Sequence, residues 1–402
     1  MHTQFFRLAA LAFLAVTTLV PAFSYAEEED HDLEVAGWIP YWRDSEGIKD
    51  TKKHFKELDA VYPFAFTVTA TGEIRDQAGL TEAEWKRFMK DARKRDVEVI
   101  PTVMWSDRES IHNVLSNDDL REEHIEEIAK MVKKGKYDGV GIDYEGKKAD
   151  TRDHFSLFLE ELKDELGSKI LTCTIEARTP PESLYREGQV PAVIRYANDY
   201  DEIKEHCDRI EIMAYDQQRA DLKLNREKAG SPYFPVADVD WVRKVVEFSI
   251  KDLPKEKVML GIPTYGRHLA VTVAPNWFRD YRQLGAMNMP GFLDVAKEHK
   301  VKPSRNQAGE MSFTYLPKNS PIKLDDSIKI PKNTPKGNII AARALAYANK
   351  TGKDVTFNLG WYSDAEAMKD KIDLAKEFGL RGVAIFKFDG EEDKKMWTYL
   401  KD

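Results

Sequence analysis

The sequence has little cysteine, no surplus of positive charge and, past its first two dozen residues, no long apolar run. Each shortage removes a class of function. Two cysteines, Cys173 and Cys207, are too few for the disulfide framework of a small secreted domain. The nine histidines are scattered, with no HExxH and no Cys/His cluster, so no required metal is expected. Lys and Arg number 61 against 69 Asp and Glu, a formal charge of −8 with no basic stripe. Nucleic acid and anionic lipid are therefore poor partners. Gly139-Val140-Gly141 lacks the third glycine of a dinucleotide fingerprint, and no GxSxG elbow occurs, so no cofactor is expected either.

What is present begins with an N-terminal address. A single cation, Arg7, precedes an apolar stretch from Leu8 to Val20; Ser24 and Ala26 follow, then the acidic run Glu27 to Asp30. That order is the pattern of a secretory signal peptide over residues 1–26, and the apolar core is short for a membrane span. An uncleaved anchor is the alternative. The expected mature chain is exported, soluble and monomeric, with no membrane contact after cleavage. In an oxidising compartment Cys173 and Cys207 either pair or stay as two small buried hydrophobes; the sequence leaves this open.

Past residue 32 short apolar runs alternate with amphipathic helices, the signature of parallel strands joined by crossover helices. The runs are 34–41, 58–68, 97–105, 137–145, 170–177, 209–215, 258–264 and 382–388. Between them, Thr81 and Glu84 suggest a capping box ahead of Trp85, Phe88, Met89 and Ala92. A helix opening near Asn117 and closing at Gly135 is expected to carry Leu120, Ile125, Ile128 and Val132 inward. Another carries Phe155, Phe158, Leu159, Leu162 and Leu166, and a last one starts near Ser363 and Glu366. The rhythm breaks over 268–360, read as a small α+β insertion between strands seven and eight. Eight strand–helix units with one insertion predict a (β/α)₈ TIM barrel over 32–402, with an open doubly wound sheet as the alternative.

The fourth run is the informative one. In Asp138-Gly139-Val140-Gly141-Ile142-Asp143-Tyr144-Glu145 side chains alternate between faces. Val140, Ile142 and Tyr144 share the face that packs under helices, whereas Gly139, Gly141, Asp143 and Glu145 share the face that points into a barrel. Two carboxylates one step apart on a buried face are costly unless used. They lie at the C-terminal end of a parallel strand, where barrel enzymes build active sites. Like charges so close push one pKa upward, as a general acid requires.

DGVGIDYE resembles the DGxDxDxE signature of glycoside hydrolase family 18, the chitinases and their relatives. Further segments resemble the same family in the same order. Ile212-Met213-Ala214-Tyr215-Asp216 is similar to its MxYD, and Leu260-Gly261-Ile262-Pro263-Thr264-Tyr265-Gly266-Arg267 to its LGIPxYGR. Trp361-Tyr362 and the run from Gly379 to Phe386 resemble the approach to its eighth strand. The bacterial subgroup of spore-cortex and cell-wall glucosaminidases is the nearest in character. The resemblance implies a secreted glycosidase acting on β-1,4 N-acetylglucosamine polymers, chitin or peptidoglycan. In it Glu145 protonates the glycosidic oxygen and the substrate's own acetamide is the nucleophile. Asp143 would orient that acetamide, Tyr215 would donate to its oxygen, and Asp216 would sit in the same network.

Two positions depart from the pattern. Gly141 stands where the family usually has an aspartate, and Phe386 where it usually has a tryptophan under the sugar. They motivate a competing reading, a lectin-like barrel that binds glycan without turnover. A third reading, a carboxylate nucleophile, would need Asp216 or Glu176 beside Glu145. Aromatic and polar residues expected at the cleft are Tyr41, Trp42, Phe66, Trp105, Met213, Tyr265, Arg267 and Phe386, with Glu176 and Arg178 as further candidates. For each aromatic the alternative is core packing.

Overall fold

The computed structural model describes residues 32–400, so the expected signal peptide lies outside the described part. Strands form where apolar residues run almost without interruption, because a strand inside a parallel barrel is covered on both faces. In chain order they are β1 (Glu34–Pro40), β2 (Ala60–Val68), β3 (Ile74–Asp76), β4 (Glu98–Val99) and β5 (Thr102–Trp105). Next come β6 (Gly139–Tyr144), β7 (Ile170–Glu176), β8 (Arg209–Met213) and β9 (Val258–Pro263). The chain then runs through β10 (Tyr265–Ala274), β11 (Trp277–Asn288), β12 (Ser304–Arg305), β13 (Met311–Tyr315) and β14 (Val355–Tyr362), and ends with β15 (Gly382–Phe386).

The parallel ladder follows the order β1, β15, β9, β8, β7, β6, β5, β2, and β2 pairs back onto β1. It is therefore a closed (β/α)₈ barrel, not an open doubly wound sheet. The third barrel strand is split into β4 and β5 at Ile100-Pro101, where proline supplies no ladder donor. Val140, Ile142 and Tyr144 pack outward with Phe155 and Phe158 of the following helix in the main core, which also takes in Trp85 and Phe88. Cys173 on β7 and Cys207, just ahead of β8, form a disulfide across 34 residues.

Local details differ from expectation in two places. The helix Ala83–Arg93 starts without a side-chain cap, its N-cap being Glu82 and not Thr81, and the Glu84 carboxylate accepts from Ser45 Oγ at 3.0 Å. Asn117 does cap the helix Asp118–Gly135, but Leu120 is exposed, since the buried stripe begins at the next residue and runs through Arg121, His124 and Ile125.

Between β9 and β15 stands a second sheet, antiparallel, in the order β11, β10, β14, β13, β12, with helices Met289–Glu298 and Ile339–Thr351. Its first and last long strands leave and rejoin the barrel side by side, with Gly266 opposite Tyr362 and Arg267 opposite Trp361. A buried ionic group ties it down. Glu310 accepts from the Trp361 indole at 2.6 Å and from the backbone N–H groups of Val236 and Ala237 at 3.0 and 3.1 Å. The ammonium of Lys371, on the helix Ala365–Glu377, is fully buried and feels the charge of Glu310 first, then those of Asp370, Asp238 and Asp364. Among the described residues no helix is long and apolar enough to cross a membrane.

Candidate active site

The strand ends converge on a cavity of about 420 Å³ at the C-terminal mouth of the barrel. β6 delivers Asp143, which is 4% exposed, and the chain just beyond it delivers the half-buried Glu145. Alternation puts both on the inner face, and both line the cavity. Beneath them Gly141 lies level with Thr102 and Thr172. A Cβ at Gly141 would stand 2.9 Å from the Thr172 hydroxyl and 3.2 Å from that of Thr102. The two hydroxyls close over the glycine and occupy the approach to a carboxylate there.

Burial is the main force on the carboxyls. It lifts Asp143 well above its ordinary value, helped by the charge of Glu145. It also raises Glu145, with repulsion from Glu176 and Asp216 added and the Lys147 ammonium opposing. Lys147 is itself buried and pushed down by the loss of water; its ammonium donates to the Tyr144 carbonyl and lies 4.3 Å over the Phe155 ring. Glu176, at the end of β7, is held by the Gly146 N–H at 3.0 Å and the Asn198 amide at 2.5 Å. One Asp143 oxygen, Oδ1, has no hydrogen-bond partner among the described residues.

Tyr215 and Asp216 follow β8. Burial lifts the Tyr215 phenol well above 10, and the charges of Asp143 and Glu145 add to the effect, so it stays a neutral donor facing both carboxyls. Asp216 sits at φ 54°, an unusual conformation for a residue with a side chain. It is fixed there by Tyr265 Oη at 2.9 Å and Arg267 Nε at 2.9 Å. Tyr265 and Arg267 belong to β10, so the inserted sheet braces the catalytic mouth directly. Arg178 lies 4.0 Å from both the Tyr196 and Tyr200 rings and donates to the Asn198 carbonyl, behind Glu176.

Phe386 closes β15 and forms the floor. It stacks on Tyr215 at 5.7 Å and 22°, and meets Trp38 at 5.8 Å, Phe64 at 6.0 Å and Tyr265 at 6.2 Å edge-on. Met213 lines the wall. The comparisons with known proteins agree with this architecture: the family model described as glycosyl hydrolases family 18 matches residues 34–391. The chain belongs to that family.

This family 18 chain is a glycoside hydrolase. It is 26% identical over 334 residues to YdhD of Bacillus subtilis (strain 168), which carries the name of a sporulation-specific glycosylase; the match covers 80% of this chain and 64% of that protein. The spore cortex-lytic enzyme SleL of Bacillus cereus superposes with a TM-score of 0.65 at 17% identity, over 92% of this chain and 74% of SleL. A chitinase from Chromobacterium violaceum superposes with a TM-score of 0.66 at 17% identity, over 92% of this chain and 98% of the chitinase.

Of the residues expected at the cleft, Asp143, Glu145, Met213, Tyr215, Asp216, Tyr265, Phe386 and Glu176 line the cavity, and Arg267 stands one contact behind it. Four aromatics do not. Phe66 is buried in the outer core, because an irregularity in the β2–β5 register between Phe64 and Phe66 shifts the alternation and turns Phe64 inward instead. Trp105 pairs in register with the outward Tyr144 and packs against it and His124. Tyr41 packs edge-on against Trp42 and the inner aromatic cluster below the mouth. Trp42, 48% exposed, touches Phe64 and so stands at the rim. Trp38, Phe64, Thr174, Gln217 and Trp241 also line the cavity.

Proposed function

We propose that this family 18 hydrolase cleaves β-1,4 linkages of N-acetylglucosamine-containing polymers by substrate-assisted catalysis with retention, in an exported form. One observation carries the mechanism. The buried Asp143 presents an unpaired carboxyl oxygen beside a second carboxyl, Glu145, that burial and like charge keep protonated to higher pH than usual. Glu145 is at the mouth, where a glycosidic oxygen can reach it, and donates the proton that the leaving group takes. The neighbouring acetamide oxygen closes on the anomeric carbon as that bond breaks, and the positive charge spreads over the new ring. Asp143 holds the acetamide N–H through its free oxygen, and the Tyr215 phenol donates to the acetamide oxygen. Water then adds to the anomeric carbon as its bond to the acetamide oxygen breaks, and Glu145 takes the proton that water gives up. These groups are fixed before substrate arrives, so they stabilise charge that appears only in the transition state.

Asp216 and Glu176 are poorly suited as an alternative nucleophile. The first is bound by Arg267 and Tyr265, the second by Gly146 and Asn198. The apolar floor of Phe386, Trp38 and Phe64 suits the carbon face of a pyranose. Export is supported by the cation, apolar run and small residues of the first 26 positions. Hydrolysis of a fluorogenic chitobioside and of purified peptidoglycan, wild type against Glu145→Gln, tests the reading. The variant should lose about 10²–10⁴-fold in kcat. Glycan binding without product release by wild type would instead favour a barrel that only binds.

A further inference from the structure

A second, larger cavity of about 530 Å³ adjoins the catalytic one. The loop after β8 is their common wall: Gln217 and Ala220 line the catalytic side, and Arg219, next to Ala220 in the chain, lines the other. One hydrogen bond crosses this wall, from the Gln217 amide to Tyr233 Oη at 3.0 Å. The far side is β11 of the inserted sheet, where Trp277 is 50% exposed. A half-exposed indole lining a cavity is a stacking surface waiting for a flat partner.

The charge of this cavity runs against that of the chain. Arg186, Arg219 and Arg226 line it with a single carboxylate, Glu187, in a protein of net charge −8. None of the three guanidiniums pairs with a carboxylate among the described residues. Arg219, exposed like Arg186 and Arg226, rests 5.1 Å over the Tyr281 ring and donates to the Arg279 carbonyl at 3.5 Å. An unpaired guanidinium stacked on an aromatic face is suited to planar recognition of a carboxylate.

We propose that this cavity is a second subsite that takes a carboxylate-bearing substituent of the glycan, bound by Arg219 and Arg226 while Trp277 stacks on a ring. The inference rests on the glycan substrate proposed above and adds a preference: acidic over neutral polymers. A neutral N-acetylglucosamine oligosaccharide has nothing to offer the arginines; one carrying lactyl carboxylates does.

The experiment compares kcat/KM for two oligosaccharides of equal length, one neutral and one alternating N-acetylglucosamine with N-acetylmuramic acid. Wild type and the Arg219→Gln/Arg226→Gln variant are measured side by side. The ratio of acidic to neutral kcat/KM should fall by roughly ten-fold in the variant, the size of one charge-assisted hydrogen bond. Added salt should lower the wild-type ratio as well. An unchanged ratio overturns the subsite. Should wild type cleave neither substrate, the hydrolytic reading fails on its own. The subsite is then judged by binding of the acidic oligosaccharide, and equal Kd for wild type and variant rejects it.

Discussion

Glu310 and Lys371 are both fully buried, one ahead of β13 in the inserted sheet and the other on the last long barrel helix. Glu310 is satisfied by three N–H donors, whereas the Lys371 ammonium has no hydrogen-bond partner and depends on the carboxylate charge. Glu310→Gln keeps an acceptor for Trp361 but takes the largest opposing charge from a buried cation, leaving it only the weaker pull of Asp370, Asp238 and Asp364. Removing one partner of a contacting buried pair costs about 3–5 kcal/mol; with no direct contact and three carboxylates left, the loss here should be smaller, about 2–3 kcal/mol, still a large part of an ordinary domain's 5–15 kcal/mol. Replacing both, as Glu310→Gln/Lys371→Met, removes the under-compensated charge and should recover at least about 1 kcal/mol of that loss.

The pH dependence has a definite sign. Burial holds Lys371 below its ordinary 10.5, so in the single variant the unfolded chain binds the proton more tightly than the folded one. Stability then rises with pH, and the deficit shrinks as pH climbs toward 10.5. Urea denaturation of wild type, single and double variants at neutral and alkaline pH gives all the terms. Equal losses in the single and double variants, or a deficit that is flat with pH, would refute the pairing. Activity should follow stability here, because Glu310 holds Val236 and Ala237, and the Val236 carbonyl accepts from the Gln217 N–H beside Asp216.

Glu176→Gln removes a charge that helps raise Glu145. The acid must be protonated to act, so the alkaline limb of kcat/KM should move to lower pH by about half to one unit; an unmoved limb argues against Glu145 as the acid. Tyr215→Phe should lower kcat about 10²-fold in steady-state kinetics, as loss of a preorganised donor does, while a change in KM alone would assign the phenol to ground-state binding. Cys173→Ser/Cys207→Ser reopens a loop of 34 residues and should lower thermal stability by about 3–4 kcal/mol, measured by calorimetry on the oxidised protein.

The catalytic strand was legible because its chemistry and its alternation agree: glycine and acid on one face, Val140, Ile142 and Tyr144 on the other. Tyr215, Asp216 and Tyr265 came through the family resemblance, since no periodicity marks them. What the sequence hid is parity in strands apolar on both faces. In β1 nothing separates the inward Trp38 from the outward Ile39, which are equally apolar. In β2 the register irregularity reverses the parity between Phe64 and Phe66, whereas Trp105 keeps the outward parity of Val99 and Val103, which its apolar neighbours did not reveal. Gln217 and Trp241 reach the cavity from a loop and a helix, where strand alternation has no bearing.

The paired entry and exit of the inserted sheet bear on how the chain folds. Some hundred residues separate β9 from the helix that precedes β15, and closing the barrel across a slack tether of that length would carry a heavy entropic toll. Once β10 and β14 zip together at Gly266–Tyr362, the tether shrinks to Thr264 on one side and Ser363-Asp364 on the other. By the logarithmic loop law that shortening is worth on the order of 2–3 kcal/mol. The insertion thus closes its own ends, and the last barrel strand meets its neighbours almost as though nothing had been spliced in.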